Sequence, residues 1–137
     1  MKVLVMYVDE FGYTPAQKNL DTAEEITTGA TFKDSILAFI QVEESDEEYD
    51  VKSREKKLVN HLKWTARKNN CKKVILHSFA HLSESKASIE FTKAIFDEAE
   101  QRLQNADFET AQTPFGYFLD LQLKAPGYSL ARIWATL

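Results

Sequence analysis

Apolar residues come in short blocks separated by polar stretches, and the spacing within each block assigns it to a strand or a helix. Lys2 to Val8 (KVLVMYV) is a nearly continuous, β-branched run, the pattern of a strand buried on both faces. Asp9 to Lys33 carries Gly12, Pro15 and Gly29 among Thr, Asp and Asn with no sustained period, so an irregular excursion is expected there. Ser35 to Glu43 (SILAFIQVE) reads as a second strand. Val51 to Asn69 places apolar groups at 51, 58, 59, 62 and 66, with the stem of Glu55 among them, which is a helical stripe that Asn69-Asn70 can end. Lys73 to Phe79 (KVILHSF) is the next strand. Ser83 and Ser85 then offer caps for a helix running to about Ala106, with Ala87, Phe91, Ala94, Ile95, Ala99 and Leu103 on its apolar face. Phe108 to Gln112 alternates, Thr113-Pro114 breaks it, Tyr117 to Lys124 reads as a strand, Pro126-Gly127 as a turn, and Leu130 to Leu137 as a last strand.

The order β, β, α, β, α, β, β, β predicts an α+β fold in which two helices cover one side of a mixed sheet. Helical crossovers suit parallel pairs, and tight turns late in the chain suit antiparallel ones. With 137 residues, 44% of them hydrophobic, one domain spanning 1–137 is expected. No apolar run approaches the ~20 residues a bilayer crossing needs, and MKVLVMYVDE lacks a basic leader, so no membrane insertion or secretion is expected. Cys71 is the only cysteine, which excludes an intrachain disulfide and a cysteine zinc cluster, and the cytosol is the expected compartment.

The net charge of −4 conceals an uneven distribution. Glu43 to Asp50 (EESDEEYD) holds six acids and reads as a solvated loop, whereas Lys52 to Lys73 holds nine bases against Glu55 alone. Lys52, Lys56, Lys63 and Arg67 recur at spacings that share one helix face, a basic stripe suited to RNA phosphates.

No G-x-S-x-G, Walker A, G-x-G-x-x-G or H-E-x-x-H pattern is present, which removes the commonest hydrolase and nucleotide-enzyme chemistries. His77 and His81 would share a face of a continuous strand but lack a third ligand, so no metal is expected. Cys71 reads as an inert thiol. Two segments stand out. Phe79-Ala80-His81-Leu82-Ser83 joins a buried strand to a helix, where main-chain N–H groups can hold an oxyanion or a phosphate oxygen. Pro114-Phe115-Gly116-Tyr117 combines a rigid Pro, a Gly permitting close approach and flanking aromatics, which suits a small-molecule pocket.

FAHLS and PFGY, together with VLVMYVD, LAFIQVE and G-Y-S-L-A, resemble the archaeal-type N-terminal editing domain of threonyl-tRNA synthetase along essentially the whole chain. The resemblance implies a D-aminoacyl-tRNA deacylase-like fold and a cytoplasmic homodimer without a cofactor. It further implies hydrolysis of seryl-tRNA(Thr) with threonyl-tRNA(Thr) spared, in cis or in trans to a synthetase core. The matched pocket positions are Val42, Phe79, Ala80, His81, Phe115, Gly116 and Tyr117, with His81, Ala80, Phe115 and Gly116 nearest the chemistry. Phe118 and Leu119 stand where the family carries a Tyr-Lys pair, and Arg132 where it carries an acid; these three are expected at the substrate site. If the missing side chains are dispensable, main-chain amides and the vicinal 2′-hydroxyl of the terminal adenosine must supply the catalysis. Two alternatives stand beside this reading: a non-catalytic tRNA-binding module and a broader D-aminoacyl-tRNA deacylase.

Overall fold

The computed structural model describes all 137 residues. Six strands form one sheet: β1 (Lys2–Lys18), β2 (Ala30–Gln41), β3 (Lys73–Ser78), β4 (Glu109–Gln112), β5 (Tyr117–Lys124) and β6 (Arg132–Thr136). Two helices, α1 (Val51–Lys68) and α2 (Ile89–Asn105), form the crossovers from β2 to β3 and from β3 to β4, and both strand pairs are parallel. The sheet order is β4-β3-β2-β1-β5, with β6 also pairing β1. The fold is α+β, a mixed sheet with two helices.

Alternation along the central strands divides the interior. Val3, Val5, Ile36, Ala38, Ile40, Val74 and Leu76 face the helices and pack against Leu58, Leu62, Ile95, Phe96 and Leu103. Val8, Phe11, Leu37, Phe39 and Ile75 form a second cluster. Truncating a fully buried leucine such as Leu58 to Ala costs about 2–5 kcal/mol in such a core.

Several expectations are corrected. Asp9 to Lys18 is strand, not excursion, because β1 continues to pair with β2 through Tyr13 and takes β5 along Glu10 to Lys18. Only 19–29 is irregular, and β2 begins at Ala30 rather than Ser35. These positions read as loop because, Phe11 apart, their side chains are only partly buried or exposed, while main-chain pairing carries the structure. The late strands form no hairpin with one another: β5 and β6 lie in tandem on β1, both antiparallel to it. The second helix starts at Ile89, capped by the Ser88 side chain on the Phe91 N–H; Ser83 and Ser85 are held by other partners.

The acidic stretch is not a plain solvated loop. Glu44–Glu48 is a 3-10 turn whose Asp46 is buried between the N-terminal ammonium (3.0 Å) and Arg54 (2.6 Å). Arg54 also donates to the Leu137 carbonyl at 2.6 Å. One of the nine bases therefore neutralises an acid internally and is absent from the surface. Such an arrangement relieves the desolvation that either charge would suffer alone.

Candidate active site

The C-terminal ends of β2 and β3 lie side by side, and the chain leaving β3 must bridge to α2 across them. Phe79 N–H donates to the Ile40 carbonyl at 2.9 Å, and Ala87 N–H to that of Val42 at 3.0 Å. Between these anchors one side chain makes most of the contacts to the main chain of the loop. Gln41, 3% exposed, accepts from the N–H groups of Leu82 and Ser83, both at 2.7 Å, and donates to the carbonyls of Ser83 and Ser85, both at 2.8 Å. A buried primary amide can make about four such bonds, so Gln41 is saturated. Ser83 Oγ additionally donates to Glu43 at 2.7 Å. Glu43 is desolvated, but its hydrogen bonds to the N-terminal ammonium and Ser83 outweigh this and hold its carboxyl below the usual range.

The opposite wall is the turn between β4 and β5. Thr113 N–H donates to the Leu76 carbonyl at 3.0 Å, and Thr113 Oγ1 lies 2.8 Å from His77 Nδ1. Burial pushes His77 down to about 4, so its imidazole is neutral. Gly116 has φ +85°, a conformation costly for any residue with a Cβ. Segment 19–29 closes over this turn: Asn19 N–H donates to the Gly116 carbonyl at 2.9 Å, and Tyr117 Oη donates to the Glu24 carbonyl while accepting from Ile26 N–H at 3.0 Å. A Cβ on Gly116 would lie 2.9 Å from that of Ala23 and 3.2 Å from Leu20.

The two walls enclose a cleft of about 570 Å³. Val42, Phe79, Ala80, His81, Phe115, Gly116, Tyr117, Phe118 and Leu119 all line it. Arg132 does not: it is exposed on β6 opposite Met6, because β6 pairs with the first half of β1 and the cleft wall is built on β5. Sequence reasoning missed Gln41, Asn19, Leu20 and Lys86. A signal for Gln41 existed, since an amide inside the apolar run LAFIQV must be satisfied if the strand is buried. Nothing local marks Lys86.

The lining contains no carboxylate. Lys86 is its only permanent charge, beside the imidazoles of His77 and His81. His81 is exposed and packs edge-on against Phe79, with centroids 4.9 Å apart, while His77 is held in the wall by Thr113. The two do not converge, and no group of three His, Cys, Asp or Glu side chains lies within metal-binding reach. Of the main-chain amides around Ala80 to Ser83 and Phe115 to Gly116 expected to meet the aminoacyl group, Gln41 occupies those of Leu82 and Ser83, while those of Ala80, His81, Phe115 and Gly116 make no hydrogen bond within the chain. Cys71 is buried beside the carbonyls of Asp34 and Lys73.

On α1, Lys52, Lys56, Lys63 and Arg67 share one flank of the outward face, and none enters an ion pair.

A mixed sheet with two covering helices, and a largely apolar cleft at the strand ends, define a single-sheet α+β domain with a built pocket between β2, β3 and the β4–β5 turn. The chain belongs to the archaea-specific editing-domain family of threonyl-tRNA synthetase, whose family model matches residues 1–137. It is 29% identical over 133 residues to the threonine–tRNA ligase of Nitrosopumilus maritimus, covering 96% of this chain and 20% of that one. It is likewise 29% identical over 140 residues to the ligase of Thermococcus onnurineus, covering 100% and 22%. The chain thus spans about a fifth of the length of these curated relatives. Among solved structures, a c-Myc DNA unwinding element binding protein superposes with a TM-score of 0.67 over 100% of this chain and 99% of that one. At 10% identity this is a likeness of fold alone. No helix is long and apolar enough to cross a membrane.

Proposed function

We propose that this chain is a proofreading hydrolase that removes serine from seryl-tRNA(Thr) and spares threonyl-tRNA(Thr), with the substrate helping to orient its own water. Family membership supports a role in tRNA proofreading, and one observation carries the chemical reading: four of the residues lining a cleft without a carboxylate, Ala80, His81, Phe115 and Gly116, have main-chain N–H groups that make no hydrogen bond within the chain. Ester hydrolysis needs a positioned water, a proton acceptor and a stabilised oxyanion. The amides of Ala80 and His81 on one wall, and of Phe115 and Gly116 on the other, are the donors available to fix the aminoacyl group and its developing charge. The neighbouring 2′-hydroxyl of the terminal adenosine orients the water. Lys86 is the cation left to meet the terminal phosphate. Threonine is rejected by steric conflict of its extra methyl with the rigid wall, which discriminates more sharply than contact can, since a methylene contributes only ~1–3 kcal/mol by contact.

The acceptor stem is proposed to reach α1 through Lys52, Lys56, Lys63 and Arg67. A second copy of the chain is proposed to cover the apolar side chains left exposed on β5 and β6 outside the cleft, Leu123 and Trp134; a monomer in light scattering at micromolar concentration would dispose of that part. Phe118 and Leu119, in place of the family's Tyr-Lys pair, favour one second reading: a tRNA-binding module without activity. Incubation with seryl- and threonyl-tRNA(Thr) separates the two. The hydrolase releases serine selectively, and a 2′-deoxy terminal adenosine abolishes that release; the module leaves both esters at background. Preferential release of a D-amino acid would instead assign the broader deacylase activity.

A further inference from the structure

The outward face of α1 carries more than the four cations already considered. Lys57, Trp64 and Lys68 fall on its other flank, at helical spacing, so one helix surface gathers them beside Lys52, Lys56, Lys63 and Arg67. The single acid of the helix, Glu55, is buried and held by Arg102. Six cations therefore face solvent on 18 residues with no carboxylate among them and no ion pair to any. Trp64 stands among them, 44% exposed. Its indole is not loose: the His61 ring stacks beneath it at 6.2 Å and 22°, and the Lys68 ammonium lies 6.0 Å from its centroid. Burial pushes the His61 imidazole below its ordinary value, so its ring supports the indole as a neutral surface near pH 7. The result is a braced aromatic plate in a cationic frame, on a chain whose net charge is −4.

We propose that Trp64 is a stacking platform for an unpaired nucleobase of the bound RNA, framed by Lys57 and Lys68, which hold the flanking phosphates. An acidic protein surface would satisfy the cations but would leave the indole without a partner; a nucleic acid supplies anions and flat π-faces together. The inference rests on the proposed tRNA binding and adds a contact that lysines alone do not make.

The test uses the full chain with Trp134→Phe, so that Trp64 is the only indole, titrated with a tRNA(Thr) transcript and separately with poly-L-glutamate. The expected result is saturable quenching of Trp64 by tRNA. Trp64→Ala should weaken binding roughly 5- to 150-fold, the equivalent of ~1–3 kcal/mol per stacked base, with an unaltered salt slope. Lys57→Gln and Lys68→Gln should each lower the slope of log K against log salt by about 0.7–0.9. If tRNA binds Trp64→Ala as tightly as the parent and leaves the fluorescence of Trp64 in the parent unquenched, the platform is refuted while tRNA binding stands. If the parent fails to bind tRNA even at about 50 mM salt, the underlying reading falls as well. Equal quenching by poly-L-glutamate would mark a surface for acidic proteins and overturn the proposal.

Discussion

Replacing Gln41 isolates the part of the site that depends on one side chain. Gln41→Leu keeps the volume and strands four polar main-chain groups, the N–H groups of Leu82 and Ser83 and the carbonyls of Ser83 and Ser85. At about 1 kcal/mol net for each lost hydrogen bond, the variant should lose roughly 4 kcal/mol if the loop stays in place. If the loop lifts into water instead, the stability loss is smaller and the damage appears as mobility at Ala80 and His81, which line the cleft. Gln41→Glu sharpens the experiment. An ionised carboxylate still accepts from Leu82 and Ser83 but sets its second oxygen against two carbonyls that Gln41 contacts at 2.8 Å. Protonation restores one donor. The introduced carboxyl should therefore titrate above its ordinary range, and the variant should recover stability and loop order as the pH is lowered through that value. Urea denaturation gives the energy, and hydrogen exchange at the Leu82 and Ser83 amides gives the local opening. Exchange at those amides unchanged in Gln41→Leu, with stability within about 0.5 kcal/mol of the parent, would refute the reasoning.

Two further outcomes are expected. Gly116→Ala forces a Cβ into positive φ and to 2.9 Å from Ala23, which should cost about 2–4 kcal/mol or release segment 19–29 to protease; Ala23→Gly in the same chain should recover only the steric part, and full recovery would mean that φ contributes nothing. His77 stays neutral in the fold down to about pH 4, whereas the unfolded chain takes up that proton near 6.5. Between those values the unfolded state binds more protons, so stability falls by up to ~3 kcal/mol as the pH drops; His77→Gln should flatten that slope, and parallel profiles would exclude His77 as its source.

The sheet is legible where a strand is buried, and illegible where it is held by pairing alone. Lys2 to Val8 and Ser35 to Gln41 announce themselves by apolar side chains, whereas Asp9 to Lys18 and Ala30 to Asp34 extend them through main-chain hydrogen bonds that composition does not record. The FAHLS and PFGY walls stand out because their residue types are unusual, and they do line one cleft. Arg132 is misplaced by sequence because a resemblance in motifs carries no information on which half of β1 its strand joins. Arg54 counts as surface charge in the sequence because its partners, Asp46 and the Leu137 carbonyl, lie outside its own helix, the latter 83 residues away. Asn19 and Leu20 are invisible because a loop becomes a wall only through long-range ties, here the Asn19 N–H to the Gly116 carbonyl and the Tyr117 hydroxyl that fasten segment 19–29 across the fold.

The 17-residue β1 also sets the order of assembly. It emerges from the ribosome ahead of every strand it pairs with, and its partners on one side, Tyr117 to Lys124 and Arg132 to Thr136, follow roughly a hundred residues later. At ~5–20 residues per second that is several seconds of synthesis during which one flank of the strand has no partner. Native pairing of such high sequence separation folds slowly, so the nascent polypeptide is exposed to wrong edge-to-edge association throughout that interval. The side of the sheet that finally frames the cleft is thus the last to close and the one most in need of chaperone protection.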